Sequence, residues 1–135
     1  MNIFPSHLHA VFSSPRKEIL ATEKEELTLS QLCARFGISR RAIQGYEAHG
    51  LVQASGRTKR GYLLYDSAAQ QTILKIRLFQ EFGFPVSEIG NLFRLSKAEL
   101  TERLKIQKGV LEQKYAKTEE IIQSLDTLLQ ELSEP

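Results

Sequence analysis

Cysteine occurs once in the 135 residues and tryptophan not at all. A single thiol excludes an intramolecular disulfide and suits a reducing compartment, so a cytoplasmic protein is expected. No apolar run approaches the ~20 residues of a membrane span, and no membrane partner is expected. The opening MNIFPSHLHAVF has neither a basic start nor a continuous apolar stretch, which argues against a signal peptide. No nucleophile–base pair, phosphate loop or paired-carboxylate arrangement stands out, so the chain does not read as an enzyme. His7, His9 and His49 have no ligand spacing to match Cys33, which reads as a small, buried and inert core residue.

Acidic residues are scarce in one region. Between Leu27 and Gln80 only Glu47 and Asp66 oppose Arg35, Arg40, Arg41, Arg57, Lys59, Arg60, Lys75 and Arg77, a local excess of +6 within a chain of net charge +2. From Ser96 onward the balance is slightly acidic. A basic centre with a balanced tail suggests that one part meets a polyanion and the other meets protein; a merely solvated basic surface is the plainer alternative.

Hydrophobic residues make up 41% of the chain, enough for one small domain and an appendage. Residues 1–26 read as an N-terminal leader. Ser14-Pro15 can open a short helix at 15–24, to which no role attaches. Ser30 can cap a helix QLCARF that ends at Gly37, with Leu32 and Phe36 on one face. Ser39 can cap a second helix from Arg40 to about His49, with Gly50 at its end. Two short capped helices joined by a tight turn outline a helix-turn-helix. The runs LVQA and YLLY then read as strands of a hairpin whose tip carries Arg57, Lys59 and Arg60, that is, a wing.

Asp66 can cap a third helix over about 67–82, where Ile73, Ile76, Leu78 and Phe79 supply apolar surface. GFP at 83–85 breaks it, and a fourth helix follows at about 86–94, with Val86, Ile89, Leu92 and Phe93 at helical spacing. Ser96 with Glu99 forms a capping box that opens the longest helix, about 97–132. Along it, positions 104, 108, 111, 115, 118, 122, 125, 129 and 132 step by four and three. Seven of these nine are apolar: Leu104, Leu111, Tyr115, Ile122, Leu125, Leu129 and Leu132. This is a coiled-coil seam of about four heptads, and a second copy of the chain is its natural partner. Ile121 and Leu128 form a flanking stripe. The expected organisation is therefore mainly α: a winged helix-turn-helix domain at 27–95 and a coiled-coil dimerisation helix at 96–135.

The stretch GISRRAI, followed by Tyr46-Glu47 and Gly50-Leu51, resembles the recognition helix and exit of the MerR family of bacterial transcription regulators. Arg57, Gly61-Tyr62 and Tyr65 resemble that family's wing, and GFPVSEIGNLF its fourth-helix entry. The resemblance runs from about Leu29 to Leu132. It implies a homodimer joined by antiparallel long helices, bound to a palindromic promoter site on double-stranded DNA that it bends and untwists. It also implies DNA contacts from Arg40, Arg41, Gln44, Tyr46, Arg57, Lys59, Arg60 and Tyr62, with Tyr46 either offering its hydroxyl to the DNA backbone or packing in the core. RNA polymerase or a regulatory partner protein are further partners it admits. Metal-sensing members carry cysteines at and beyond the end of the long helix. This sequence has none in its second half, so a short form with no effector domain, no metal and no other cofactor is expected.

Three positions depart from the family pattern. Gln44 and Gly45 stand where arginine and an aromatic residue are usual, and Leu63 stands where the wing usually has arginine. These departures keep open an alternative, an architectural or protein-interaction module that has lost specific DNA reading. Gly45 lies four residues after Arg41 and so shares its face, which points Gly45 toward DNA rather than into the core.

Overall fold

The computed structural model describes residues 25–135. The helix expected at 15–24 lies outside them. The described chain forms two units, one ending at Arg94 and the other running from Leu95 to Pro135.

The first unit opens with strand β1 (Leu27–Thr28) and helix α1 (Leu29–Phe36). Thr28, not Ser30, is the N-cap. Its hydroxyl accepts from the Gln31 amide while the Gln31 side chain accepts from the Thr28 amide, at 3.3 and 2.9 Å. This reciprocal pair satisfies two otherwise orphaned donors, so it outcompetes the single bond Ser30 could offer, and the helix starts earlier than expected. Gly37 ends α1 with φ of +64°, a left-handed conformation that costs glycine little, and Ile38 closes the turn through a 3.2 Å bond to the Cys33 carbonyl. Arg77 reaches the Gly37 carbonyl from a distant helix. Ser39 then caps helix α2 (Arg40–Ala48).

The chain continues through strands β2 (Gly56–Arg57) and β3 (Leu63–Tyr65), and the sheet order is β1-β3-β2, antiparallel throughout. The wing is present, but LVQA is not one of its strands. Pairing begins only at Ser55, whose amide and hydroxyl both donate to the Leu64 carbonyl and whose hydroxyl accepts from the Asp66 amide. The apolar character of the preceding run serves packing instead. Leu51 lies so close to the fourth helix that a Cβ added at Gly90 would meet its Cδ2 at 3.5 Å. Strand β1, two residues long, is too short to announce itself by alternation.

Asp66 caps helix α3 (Ser67–Glu81), and helix α4 (Val86–Arg94) follows. Leu32, Ile38, Ile43, Tyr65, Ile73, Ile76, Phe79, Phe84, Ile89 and Leu92 build the core. Phe79 sits among the rings of Phe82, Phe84 and Phe93, with centroids 5.8–6.2 Å away. The interlocked contacts of α1, β3 and α3 hold the two short helices in one orientation, which their own length could not do. Cys33 is only half-buried, a correction to its expected place in the core: it stands beside Leu32, which takes the fully buried position.

The second unit is dominated by helix α5 (Lys97–Ser133), 37 residues opened by the Ser96–Glu99 capping box. Leu111, Tyr115, Ile121, Ile122, Leu125, Leu128, Leu129 and Leu132 are all exposed on it. No helix among the described residues is long and apolar enough to cross a membrane.

Candidate nucleic-acid interface

Helix α2 divides its residues sharply. Ile43 and Tyr46 point into the core at 0% and 2% exposure, while Arg41 and Gln44 are exposed on the other side. Gly45 borders that outer side, and a Cβ added there would meet nothing within 4 Å. The gap left by its missing side chain is therefore open space, not a close approach of two backbones.

Of the two places the sequence leaves open for Tyr46, the DNA backbone and the core, the structure puts it in the core. Its hydroxyl donates to Gln80 Oε1 at 2.6 Å, spending on α3 the group that could have met a phosphate. The reason is periodicity: three residues separate it from Ile43, so it shares the buried face. Burial pushes its phenol up from the ordinary value, partly opposed by the nearby Arg77. A second buried phenol, Tyr65 at the end of β3, donates to Glu47 Oε1 at 2.8 Å. Its own burial, and then the Glu47 carboxylate, push it well above the ordinary range. These two bonds pin α2 at adjacent positions, to α3 and to the wing strand. Neither Gln80 nor the Glu47–Tyr65 pairing was visible as a partner in the sequence; the only signal was that Tyr46 and Glu47 are polar groups on a helix otherwise committed at Ile43.

The wing tip is a tight turn. Thr58 accepts from the Gly61 amide through its carbonyl and from the Tyr62 amide through its hydroxyl, and Gly61 adopts φ of +88°. Lys59 and Arg60 are thereby placed at the apex, exposed. Arg57 folds back and donates from Nη1 to the Gly61 carbonyl at 2.8 Å, bracing the turn. Tyr62 is 62% exposed. Arg40 donates from Nη2 to Ser30 Oγ at 2.9 Å, which ties the start of α2 to the start of α1. Among the described residues Arg41, Lys59 and Arg60 have no hydrogen-bonding or ion-pairing side-chain partner, so their charge is available to a ligand.

A groove of about 530 Å³ separates the two bodies of this surface, walled by Thr28, Leu29, Ser30 and Arg40 on one side and by Gly61, Tyr62 and Leu63 on the other. Of the DNA contacts expected from the sequence, the groove brings together Arg40 and Tyr62. Arg41 and Gln44 lie on the outer face of α2, Lys59 and Arg60 at the tip.

A helix pair with a polar, cationic outer face beside a basic hairpin defines a winged helix-turn-helix, a class of DNA-binding domain. A family model described as MerR HTH family regulatory protein matches residues 27–96. The chain belongs to this family of DNA-binding transcriptional regulators. It is 30% identical over 101 residues to the HTH-type transcriptional activator mta of Bacillus subtilis, covering 75% of this chain and 39% of that protein, so the chain spans about two fifths of that relative's length. A MerR family transcriptional regulator from Bacillus cereus superposes with a TM-score of 0.70 at 21% identity, over 82% of this chain and 84% of that one. HiNmlR, a MerR family regulator lacking the sensor domain and solved bound to promoter DNA, superposes with a TM-score of 0.52 at 18% identity, over 81% of this chain and 89% of that one.

Proposed function

We propose that the protein acts as a homodimer on a palindromic promoter site and distorts the duplex it holds. The observation that carries this reading is the segregation on α2: Arg41 and Gln44 outward, Ile43 and Tyr46 inward, with the unpaired Lys59 and Arg60 presented on the same unit. In this reading Arg41 and Gln44 enter the major groove, where Arg41 reaches a phosphate or a base edge and glutamine can make two hydrogen bonds to adenine. Arg40, Arg57, Lys59, Arg60 and Tyr62 meet the sugar-phosphate backbone. These contacts set register, and the deformability of the site adds readout. The apolar seam of α5, exposed at every one of its apolar positions but the half-buried Leu104, supports pairing with a second copy through Leu104, Leu111, Tyr115, Ile122, Leu125, Leu129 and Leu132. Two copies of one reading head related by a two-fold axis require a two-fold site. The complex of HiNmlR with promoter DNA supports assigning duplex DNA as the ligand. RNA polymerase or a regulatory protein then becomes the partner through which bound protein alters transcription.

Selection from a random duplex pool tests the reading. An enriched inverted repeat is the expected outcome. Retention of duplexes with no enriched sequence would favour the architectural alternative, which Gln44, Gly45 and Leu63 keep in view.

A further inference from the structure

We infer that the groove between the start of α1 and the wing seats one backbone phosphate of the duplex, gripped by Arg40 together with Ser30. This rests on the DNA-binding reading above and assigns it a site. Arg40 does not share the outward direction of Arg41. It lies three residues before Ile43 and four before Gln44, at the exposed edge where the outer face of α2 meets its buried one. Its guanidinium is therefore held at the groove wall, against Ser30 Oγ.

That contact is unusual in its charge. The guanidinium rests on a neutral hydroxyl, and no carboxylate among the described residues lies within ion-pairing distance of it. By contrast Arg35, on the same helix pair, is neutralised by Glu25 at 2.8 Å. Arg40 so keeps its full charge and most of its five donors. Ser30, which accepts from Arg40, keeps its own proton to donate. Together they offer an arginine fork with an adjacent hydroxyl, and the two non-bridging oxygens of a phosphodiester match that arrangement. The exposed hydroxyl of Tyr62 stands on the opposite wall.

The seat also replaces one charge that α2 lacks at Gln44. Gln44 and Gly45 bring no cation to the outer face. Arg40, at the first residue of the same helix, supplies one at the groove wall. Because it reaches the backbone and no base edge, its contribution is the same for every sequence.

The test is binding of the full chain to a selected duplex and to a scrambled one, across a several-fold range of salt. Arg40→Gln, at an exposed position, keeps an amide that can donate to Ser30 and is expected to melt close to the wild type. It should weaken both duplexes by the same factor, on the order of tenfold, and flatten the slope of log affinity on log salt by about 0.9 per protomer, about 1.8 for the dimer. Ser30→Ala should weaken both by a smaller factor with the slope kept. In a scan of single methylphosphonate substitutions, one position per half-site should impair the wild type and leave Arg40→Gln no worse. If Arg40→Gln keeps the wild-type slope while Arg41→Ala loses affinity, the seat is wrong and the DNA-binding reading survives. If the wild type shows no salt-dependent binding to any duplex, both fall. If inorganic phosphate alone shifts the amide signals of Ser30 and Tyr62, with Arg40→Gln abolishing the shift and leaving duplex binding intact, the groove takes a small anion and the proposal is overturned.

Discussion

The Tyr65 hydroxyl donates to Oε1 of Glu47 at 2.8 Å, joining the last residue of the wing to the second helix, α2, across 18 positions of sequence. The neighbouring bond from Tyr46 to Gln80 joins the same helix to α3. Neither side chain is free for DNA; both fix the helix that is. Tyr65→Phe should cost about 1–2 kcal/mol, because it leaves a half-buried carboxylate oxygen without its donor. A urea melt measures this, and an unchanged midpoint would mean that water replaces the phenol at no cost.

The same pair sets an alkaline limit. Both phenols have folded-state values raised above the ordinary 10.0. An acid whose value is raised by folding holds its proton more tightly when folded. Its stabilising effect is therefore complete below about pH 10 and declines as the pH climbs above it. Phenolate absorbance from Tyr46 and Tyr65 should emerge only together with loss of the helical circular dichroism signal. Tyrosine ionisation completed before that signal falls would show both hydroxyls to be accessible in the native state.

Open space at Gly45 makes a gain of side chain harmless to the fold. Gly45→Ala should raise stability by up to roughly 1 kcal/mol, and Gly45→Tyr by a few tenths, since glycine is the poorer helix former. Gln44→Arg with Gly45→Tyr should raise affinity for generic duplex at low salt and reduce discrimination at the selected site. Thermal melts alongside titrations on specific and scrambled duplexes read both effects. A collapse of the Gly45→Tyr melt would reveal a packing role that the unobstructed space around this glycine does not suggest.

On α5, Leu111→Asp or Leu125→Asp would place a carboxylate in an apolar seam, where an unpaired buried charge is strongly unfavourable. Each substitution should shift the mass measured by light scattering from dimer toward monomer. A wild-type protein that is monomeric at micromolar concentration would sink the dimer proposal.

Arg41→Ala should flatten the salt dependence of duplex binding by about one counterion for each phosphate contact it removes. Arg57→Ala should do the same and also loosen the wing turn, since it removes the brace on the Gly61 carbonyl. Salt titrations of both variants, compared with hydrogen exchange at the Gly61 and Tyr62 amides, separate the two effects. Faster exchange in Arg57→Ala but not in Arg41→Ala is the expected pattern; equal exchange would leave Arg57 with a contact role only.

Much of the fold was legible because its devices are local. Ser39, Asp66 and Ser96 each cap a helix through a bond three residues long, and Gly37 and Gly50 end helices where the apolar period stops. The α5 seam was legible because its period repeats. The first cap was misread because Thr28 and Ser30 are both competent, and only the reply from Gln31 decides between them. The wing's first strand was misplaced because Leu51, apolar like a strand residue, packs toward α4 instead. The interface was partly legible for the same reason. Arg41, Lys59 and Arg60 show themselves by charge. The partners Ser30, Gln80 and Tyr65, which orient Arg40, Tyr46 and Glu47, lie 10 to 34 positions away and are settled only by tertiary packing.

Strand β3 is hydrogen-bonded along both edges, to β2 on the wing side and to β1 on the other, with Thr28 opposite Leu64. A wing carried by its hairpin alone would be free to rock. This one is stitched to the residue that caps α1, so a tilt of the tip loads that cap and with it the base of the reading head. Helix and wing thus behave as the jaws of a caliper with a fixed gap. On a duplex of the wrong girth or twist, the distortion proposed above is what such a tool would require, with the adjustment falling on the object being measured.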